Sequence, residues 1–361
     1  MKVTFLLPGS SPFPSGGVKV VYEHANRFVD RGHAVSVVHA AFVEKGNFRL
    51  RARGVASYFL NTVGVLHWRP DRWFRIDERV AMGWVPSLAP QWISAGDAVV
   101  ATSWQTAEWV RDYPQVKGRK FYFVQDYERY MEAGPDLRTR MAATYNAGLK
   151  NIVISPACRQ MVESHGGMVA CQVPNGLDLG VLGLKAAIDA PTRCLVGFPT
   201  RPEWFKGTRD AVKALELARS HFNFPFEVWS FGGPRPDYLP AWVNYYERPT
   251  DSELADLYNR TTIFVVPSLY EGWGLPGSEA MACGAALVST DNGGVRAYAD
   301  HEKTALLSPP GEPEALAANI MRLVTAQDLR ARLAQSGYEA IRQFTWENAN
   351  AALENCLLKG G

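Results

Sequence analysis

A chain of 361 residues is too long for one ordinary hydrophobic core, so its length predicts two domains. Hydrophobic residues make up 47% and charged residues 20%, which is typical of a soluble globular protein. The formal net charge of +2 gives no argument for a nucleic-acid partner, and no apolar stretch approaches the roughly 20 residues that cross a bilayer.

The first half of the chain alternates predicted strands and helices. Val3 to Leu7 form a continuous apolar run, which indicates a strand buried on both faces. An amphipathic helix ending at Gly32 and a strand at Val35 to Val38 follow, so the order is that of a doubly wound parallel sheet. That opening run is too short for the core of a signal peptide. Further strands are predicted at Ala98–Ala101, Phe121–Val124 and Asn151–Ile154.

The alternation restarts after a change of composition between Pro174 and Pro191, so two α/β domains meet near residue 180. The spacing predicts strands at Cys194–Phe198, Phe226–Phe231, Ile263–Val266 and Ala286–Ser289. It predicts helices at Lys206–Ser220, Asp251–Asn259 and Gly277–Cys283, and two more between Glu312 and Phe344.

Two features of composition bear on the cellular setting. Five scattered cysteines, with no Cys-x-x-Cys pair, argue against a disulfide framework and fit a reducing cytoplasm. Residues 49–79 hold seven arginines and only three acids, with aromatic side chains among them. This segment is either a solvated insertion or a patch that binds an acceptor or a membrane surface.

The strongest candidate site is a glycine-rich turn flanked by two carboxylates, Glu271 and Glu279. A strand precedes the turn and a helix follows it, and free backbone N–H groups at such a helix N-terminus favour an anion. We expect Glu271 in the loop and Glu279 in the first helical turn, where both can accept hydrogen bonds from hydroxyls beside a phosphate. That arrangement suits a nucleotide-sugar. The alternative is a capping acid and a surface acid.

Arg201 and Lys206 follow the predicted strand that ends at Phe198, at the strand end where parallel sheets bind ligands. Such a cation pair can neutralise a diphosphate leaving group. The sequence has no Asp-x-Asp pair and no histidine cluster, so no metal is expected and protein cations would carry the departing charge. Gly16 and Gly17, in the loop before the first helix, allow close approach of a ligand. They do not form a dinucleotide fingerprint.

Together these segments resemble a family-4 glycosyltransferase of the B-type fold with two Rossmann-like domains. The resemblance rests on Gly16–Val18, Val173–Asp178, Phe198–Gly207, Asp251–Ser268, the Glu-x7-Glu motif of Glu271 and Glu279, and Phe344–Trp346. It implies an acceptor-side domain at 1–178, a nucleotide-sugar-binding domain at 179–343, and a C-terminal helix at 344–361 that crosses back to the first domain. The two domains would face a central cleft.

The resemblance implies a role for each motif residue. Glu279 would bind the ribose, Glu271 the donor sugar, and Arg201 and Lys206 the diphosphate. The remaining donor-binding residues it implies are Gly274, Leu275, Pro276, Gly277, Ser278, Gly16, Gly17 and Arg248. No cofactor is expected besides the nucleotide-diphosphate sugar, and the acceptor would be a saccharide or a lipid-linked glycan.

One departure from the family bears on the donor. Many members have a histidine that contacts the donor's 6-hydroxyl, where this chain has Gln125 or Asp126. Both are therefore candidate catalytic residues, and the donor could be a deoxyhexose such as rhamnose on dTDP, as in similar bacterial rhamnosyltransferases. Alternatively, Gln125 binds the same hydroxyl.

The expected function is hexose transfer in bacterial polysaccharide or glycoconjugate assembly, in the cytoplasm, with peripheral contact at the inner face of the membrane left open. The alternatives are a nucleotide-sugar epimerase or sugar phosphorylase on the same fold, or a non-catalytic nucleotide- or glycan-binding protein. Two tryptophans, Trp204 and Trp273, flank the candidate loops. Packing is the expected role of each, and a sugar-stacking platform is the alternative.

Overall fold

The computed structural model describes residues 1–10, 14–45, 70, 73–190, 195–221 and 226–359. It divides into two compact units, of which the first comprises Met1–Ile154, Cys158–Asn175 and Trp346–Gly361. The second comprises Ser155–Ala157 and Gly176–Thr345. Most of the arginine-rich segment lies outside the described residues, so its two interpretations stay open. Within the described parts of the chain, every helix is too short or too polar to traverse a membrane.

The first unit is built on a seven-stranded parallel sheet. Its strands are β1 (Lys2–Leu7), β2 (Ala34–Ala40), β3 (Ala81–Val85), β4 (Ala98–Ala101), β5 (Arg119–Val124), β6 (Lys150–Val153) and β7 (Val169–Gln172). They lie in the order β3-β2-β1-β4-β5-β6-β7. The α-helices described up to residue 175 are α1 (Gly16–Asp30), α2 (Trp104–Arg111), α3 (Tyr127–Glu132), α4 (Pro135–Tyr145) and α5 (Pro156–Ser164).

The second unit is built on a six-stranded parallel sheet. Its strands are β8 (Leu195–Pro199), β9 (Glu227–Gly232), β10 (Val243–Glu247), β11 (Thr261–Val266), β12 (Ala286–Thr290) and β13 (Ala305–Ser308). Their order is β10-β9-β8-β11-β12-β13. The later helices of the described chain are α6 (Thr208–His221), α7 (Asp251–Arg260), α8 (Leu275–Ala282), α9 (Pro313–Thr325), α10 (Gln327–Ile341) and α11 (Trp346–Lys359). The predicted fold class of two doubly wound parallel sheets is confirmed.

The strand order of the second sheet explains where a ligand can bind. In the second unit the central strands β8 and β11 are neighbours, and the chain winds outward from them in opposite directions. Such a reversal leaves a crevice outside the carboxyl ends of the two strands. The loops after β8 and after β11 carry the two candidate motifs, so the topology brings them to the same edge.

The last helix, α11, belongs to the first unit although it follows the second in the chain. The buried Asn350 Oδ1 lies 3.0 Å from Nδ1 of His24, and Arg31 pairs with Glu354. A disulfide joins Cys356 of this helix to Cys171 of β7. The expectation against disulfides is therefore wrong for this pair. The two cysteines are 185 residues apart, and only the packing of α11 brings them together.

The second unit begins and ends at neighbouring points. The Leu177 N–H donates to the Phe344 carbonyl at 2.8 Å, and Leu177 forms a parallel bridge with Thr345. The chain thus enters and leaves this unit side by side.

Candidate active site

The turn that carries Glu271 is held by backbone contacts to the segment after β12. The Glu271 N–H donates to the Asn292 carbonyl at 2.9 Å, and Glu271 forms a parallel bridge with Gly293. A Cβ at Gly294 would lie 2.7 Å from the Glu271 carbonyl oxygen, so only glycine allows this approach. The position of Glu271 is therefore fixed before any ligand binds.

The Glu271 carboxylate is buried, and both of its oxygens have partners. Lys206 Nζ lies 2.9 Å from Oε2, and Ser268 Oγ donates to Oε1 at 2.8 Å. The side chains of Lys206 and Glu271 are 21% and 12% exposed, so this ion pair is shielded from water far better than a surface pair. An ion pair at the carboxyl end of a parallel sheet offers a cation to a phosphate and carboxylate oxygens to hydroxyls, so it can bind a ligand that has both.

Lys206 is positioned by a short turn that packs against the end of β11. Residues Trp204–Lys206 form one turn of 3-10 helix, and Gly207 follows with φ +65°. A Cβ at Gly207 would lie 2.1 Å from the Pro267 carbonyl oxygen, and the Leu269 N–H donates to the Phe205 carbonyl at 2.7 Å. The predicted helix start at Lys206 is wrong, because the left-handed Gly207 separates this turn from α6.

Glu279 lies on α8 and accepts a hydrogen bond from a buried tyrosine. The Tyr258 hydroxyl donates to Glu279 Oε2 at 3.0 Å. Burial, and secondly the nearby Glu279 charge, raise the pKa of Tyr258 well above its ordinary value, so the phenol stays a donor. The placement of Glu279 in the first helical turn is wrong. Because α8 already begins at Leu275, Glu279 is its fifth residue.

The N-terminus of α8 offers fewer free amides than the sequence indicated. Pro276 has no N–H, and the amides of Gly277 and Ser278 donate to the Gly274 carbonyl at 3.2 and 3.5 Å. The amides of Gly274 and Leu275 precede these helical bonds, so they are the ones placed to meet an anion. A φ of +90° makes Gly274 the left-handed cap from which the helix starts.

Arg201 and Arg248 lie near the carboxyl end of β9. Arg201 Nη1 donates to the carbonyls of Thr200 and Phe231 at 2.8 and 3.2 Å, and its guanidinium lies 5.1 Å from the Phe231 ring centroid. The Arg248 N–H donates to the Gly232 carbonyl at 2.8 Å, with an exposed side chain and φ 49°. The carbonyls that accept these hydrogen bonds are neutral and do not compensate the Arg201 charge, so the guanidinium can pair with a phosphate.

In the first unit the structure separates the two candidates that follow β5. Asp126 accepts hydrogen bonds from the Trp104 N–H at 3.1 Å and from the Tyr122 hydroxyl at 2.9 and 3.0 Å. Burial raises the pKa of this carboxyl above its ordinary value. The side chain of Gln125 instead points to Gly17 of α1, where a Cβ would lie 3.7 Å from Oε1. Gly16 and Gly17 are the first residues of α1, so the predicted placement of both in the loop before the first helix is wrong.

Sequence reasoning missed the two hydroxyls that hold the carboxylates. Ser268 is three residues before Glu271, just past β11, so a local polar residue at a strand end was the available signal. Tyr258 lies 21 residues from Glu279 on another helix, and nothing in the sequence links them. Among the described residues, no group of three or more His, Cys, Asp and Glu side chains could hold a metal ion. Transfer without a metal stays a prediction.

Parts of the chain are similar in sequence to known glycosyltransferases. Residues 239–340, which include both glutamates, match the sequence profile of the family described as "Glycosyl transferases group 1". The chain is 31% identical over 161 residues to O-antigen chain mannosyltransferase B of Escherichia coli, covering 42% of each chain. It is 30% identical over 158 residues to D-inositol 3-phosphate glycosyltransferase of Rhodococcus erythropolis, covering 39% of this chain and 36% of the relative. The matches thus span less than half the length of these two curated relatives.

Solved structures share the fold over the full length. The Anabaena protein HepE, solved in complex with UDP-glucose, superposes with a TM-score of 0.72 at 18% identity, covering 99% of this chain and 100% of HepE. This chain and HepE therefore share a fold. Membership of family 4, kinship with the rhamnosyltransferases and the role of each site residue stay predictions.

Proposed function

We propose that this chain is a glycosyltransferase that moves a hexose from a nucleotide-diphosphate donor to an acceptor hydroxyl. The observation that carries the proposal is the buried Lys206–Glu271 ion pair, which lies at the same sheet edge as Glu279 of α8. The group 1 family match supports it, because residues 239–340 contain both glutamates. The HepE complex supports a nucleotide-sugar as the class of donor.

Each charged group has a place in the proposed complex. Glu279, held by Tyr258, accepts hydrogen bonds from the ribose, and Glu271 accepts them from hydroxyls of the donor sugar. Arg201 and Lys206 bind the diphosphate, and Arg248 also contacts the donor. The amides of the turn from Gly274 to Ser278 border the donor, with Gly274 and Leu275 as the open donors. Gly16 and Gly17, which begin α1, are proposed to approach the donor phosphate and the acceptor.

Catalysis then consists of positioning and of stabilising the leaving group. The acceptor oxygen forms a bond to the anomeric carbon while the bond from that carbon to the β-phosphate oxygen breaks. The nucleoside diphosphate leaves with the electron pair, and the acceptor proton passes to the leaving phosphate or to water. Lys206 and Arg201 lower the barrier because charge grows on the diphosphate as the bond breaks.

The donor is proposed to be a hexose that Gln125 recognises from the first unit. Asp126 already accepts three hydrogen bonds within that unit, whereas the Gln125 side chain points to Gly17, so Gln125 is the better candidate to contact a donor hydroxyl. A deoxyhexose such as rhamnose on dTDP lacks the 6-hydroxyl that the family histidine binds. The competing possibility is that the Gln125 amide binds that hydroxyl in an ordinary hexose. Comparing turnover of dTDP-rhamnose with that of UDP-glucose decides between them.

The acceptor is proposed to be a saccharide or lipid-linked glycan in polysaccharide assembly, which agrees with the name of the O-antigen chain relative. Location in the cytoplasm, with peripheral contact at the membrane, is proposed with it. The disulfide in the first unit removes the cysteine argument for a reducing compartment.

The test is donor turnover by the purified chain. Incubation with dTDP-rhamnose, UDP-glucose and GDP-mannose, without acceptor, is expected to release free sugar slowly from one donor, because water can replace the acceptor. Tight donor binding with no release would indicate a non-catalytic binding protein, and an isomerised nucleotide-sugar would indicate an epimerase. Either result would overturn the proposal.

The ribose assignment has its own test. Glu279→Ala is expected to raise the donor dissociation constant about tenfold or more, since a charged hydrogen-bond acceptor worth about 1.5–3 kcal/mol is lost. The control is Glu216→Ala, which removes an exposed carboxylate from α6 of the same unit. Calorimetry that gave both variants the wild-type donor affinity would contradict the assignment.

A further inference from the structure

The two tryptophans beside the candidate site have opposite environments. Trp273 is 3% exposed, and its Nε1–H donates to Ser278 Oγ at 3.2 Å, so it packs inside the turn as expected. Trp204 is 66% exposed, the largest exposed fraction among the described tryptophans. The expectation that Trp204 packs is therefore wrong. An exposed indole forgoes the free energy that burial would supply, and a ligand that covers the ring would recover that free energy.

The indole is held in place by the backbone that carries it. Trp204 is the first residue of the 3-10 turn that ends at Lys206. This turn is fixed to the end of β11 by the hydrogen bond between Leu269 and Phe205 and by the close contact of Gly207 with Pro267. The Trp204 ring also contacts the rings of Phe205 and Tyr270 at nearly perpendicular angles, with centroid distances of 6.3 and 6.4 Å. A rigid exposed ring gives up little conformational freedom when it binds a ligand.

The same contacts locate the indole relative to the charged groups. Tyr270, whose ring it contacts, immediately precedes Glu271, and Lys206 is two residues beyond Trp204. Trp204 is thus tied to the carboxylate proposed to bind the donor sugar. The carboxylate proposed to bind the ribose, Glu279, lies on α8 with Tyr258 as its partner.

We propose that Trp204 is a stacking platform for the acceptor saccharide, an inference that rests on the proposed glycosyltransferase function. The carbon face of a pyranose is apolar and flat enough to lie on an indole, while its rim hydroxyls stay solvated or meet nearby charged groups. The donor sugar is a poorer fit, because it must be enclosed to keep water from its anomeric carbon. An acceptor chain extends into solvent and can use a ring that is 66% exposed.

A membrane surface fits this ring less well than a saccharide. The residue before Trp204 is the exposed Glu203, and a carboxylate at that point is repelled by anionic headgroups. A carboxylate beside a stacking ring is instead well suited to accept hydrogen bonds from sugar hydroxyls. The resemblance placed the acceptor side in residues 1–178. Trp204 would add an acceptor contact from the second unit.

The experiment compares Trp204→Ala and Trp204→Phe with the wild type. The control is Trp92→Ala, which removes a 49% exposed indole from the short turn Pro90–Trp92 of the first unit. The probes are octyl glycosides of glucose, galactose, mannose, rhamnose and N-acetylglucosamine, together with octyl maltoside. Binding is measured by saturation-transfer NMR, transfer by acceptor KM, and donor handling by calorimetry and by donor hydrolysis without acceptor.

We expect Trp204→Ala to raise the acceptor KM about tenfold and to weaken the NMR signal of the bound glycoside. Trp204→Phe should recover most of both, since a phenyl ring still offers a face. Donor affinity and donor hydrolysis should stay at the wild-type level in both variants, as should every property of Trp92→Ala. Matching melting temperatures would show that the variants are folded.

Four results would overturn the inference. The first is unchanged glycoside binding and KM in Trp204→Ala, and the second is an equal loss of donor affinity. The third is glycoside binding by no variant, the wild type included. The fourth is loss of binding to phosphatidylglycerol vesicles with acceptor KM unchanged, which would make the ring a membrane anchor. If wild-type donor hydrolysis is present, these results leave the proposed function standing. If the wild type hydrolyses and transfers from no donor, the proposed function fails, and this inference with it.

Discussion

Removing the Lys206 ammonium separates a structural role of the ion pair from a catalytic one. At the observed 2.9 Å between Nζ and Glu271 Oε2, and with an effective dielectric constant near 20, the attraction is about 6 kcal/mol before desolvation is subtracted. Because both side chains are largely shielded, Lys206→Ala leaves a poorly hydrated carboxylate, with Ser268 still donating to it. We expect the free energy of unfolding of the second unit to fall by about 1–3 kcal/mol.

The matched control is Lys213→Ala on α6, where Lys213 pairs with Glu314 at 2.6 Å. That pair is even shorter, but its side chains are 55% and 66% exposed. Water screens it, so the loss should be about 0–1 kcal/mol. Equal destabilisation by the two substitutions, in chemical denaturation followed by a probe in the second unit, would refute the argument from burial.

Turnover gives the catalytic half of the test. If Lys206 stabilises charge on the departing diphosphate, Lys206→Ala should lower the rate of donor hydrolysis about 10²–10³-fold while donor affinity changes less than about tenfold. Lys206→Arg should retain part of the rate, because it keeps the charge. A loss of donor affinity with an unchanged rate constant would make Lys206 a docking residue.

Three further predictions concern the first unit. Burial lowers the pKa of His24 from 6.5 to about 4, so its contribution to stability is present above pH 6.5 and is lost as pH falls toward 4. His24→Leu should remove up to about 3 kcal/mol of this acid destabilisation, measured as the difference between denaturant titrations at pH 7 and pH 4. The pKa of Asp126 is raised, so its effect on stability has the opposite pH dependence: the stability is present below the pKa of the unfolded carboxyl and is lost as pH rises. The melting temperature of Asp126→Asn should therefore rise relative to that of the wild type between pH 4 and pH 7, whereas that of Gln125→Ala should not. A flat difference between the Asp126 variant and the wild type would contradict the burial of that carboxyl. Cys171→Ser should lower the free energy of unfolding by about 2–4 kcal/mol and abolish any effect of reductant on the melting temperature. A reductant effect that persisted in the variant would count against the disulfide.

The strands that sequence reasoning found lie in the interior of their sheets, and those that it missed are edge strands. Residues of β1, β4, β5 and β8 are almost all buried, which gives a continuous apolar run. The missed strands β3, β7, β10 and β13 are the four edge strands. Three of them are partly exposed and have mixed composition, as in Val-Asn-Tyr-Tyr-Glu of β10. An edge strand has one neighbour and less burial, so hydrophobicity alone does not mark it.

The candidate site was predictable where it is local in sequence. The glycine turn between Glu271 and Glu279, and the short segment from Arg201 to Lys206, each signal a loop at a strand end. The contact of Lys206 with Glu271 joins residues 65 apart, and that of Tyr258 with Glu279 crosses between two helices. Those pairings depend on the strand order, which the spacing of motifs does not specify. Exposure is likewise a tertiary property, which is why the sequence could not separate Trp204 from Trp273.

The adjacent entry and exit of the second unit, at Leu177 and Phe344, make it an insertion within the first unit. An insertion whose two ends are hydrogen-bonded neighbours can be exchanged for a homologous one without stretching the chain at either junction. The second unit could therefore be replaced by grafting, with residues 176–345 as the exchanged segment. A chimaera cut at these junctions would keep helix α11 and its covalent link to β7 intact, because neither lies within the exchanged segment.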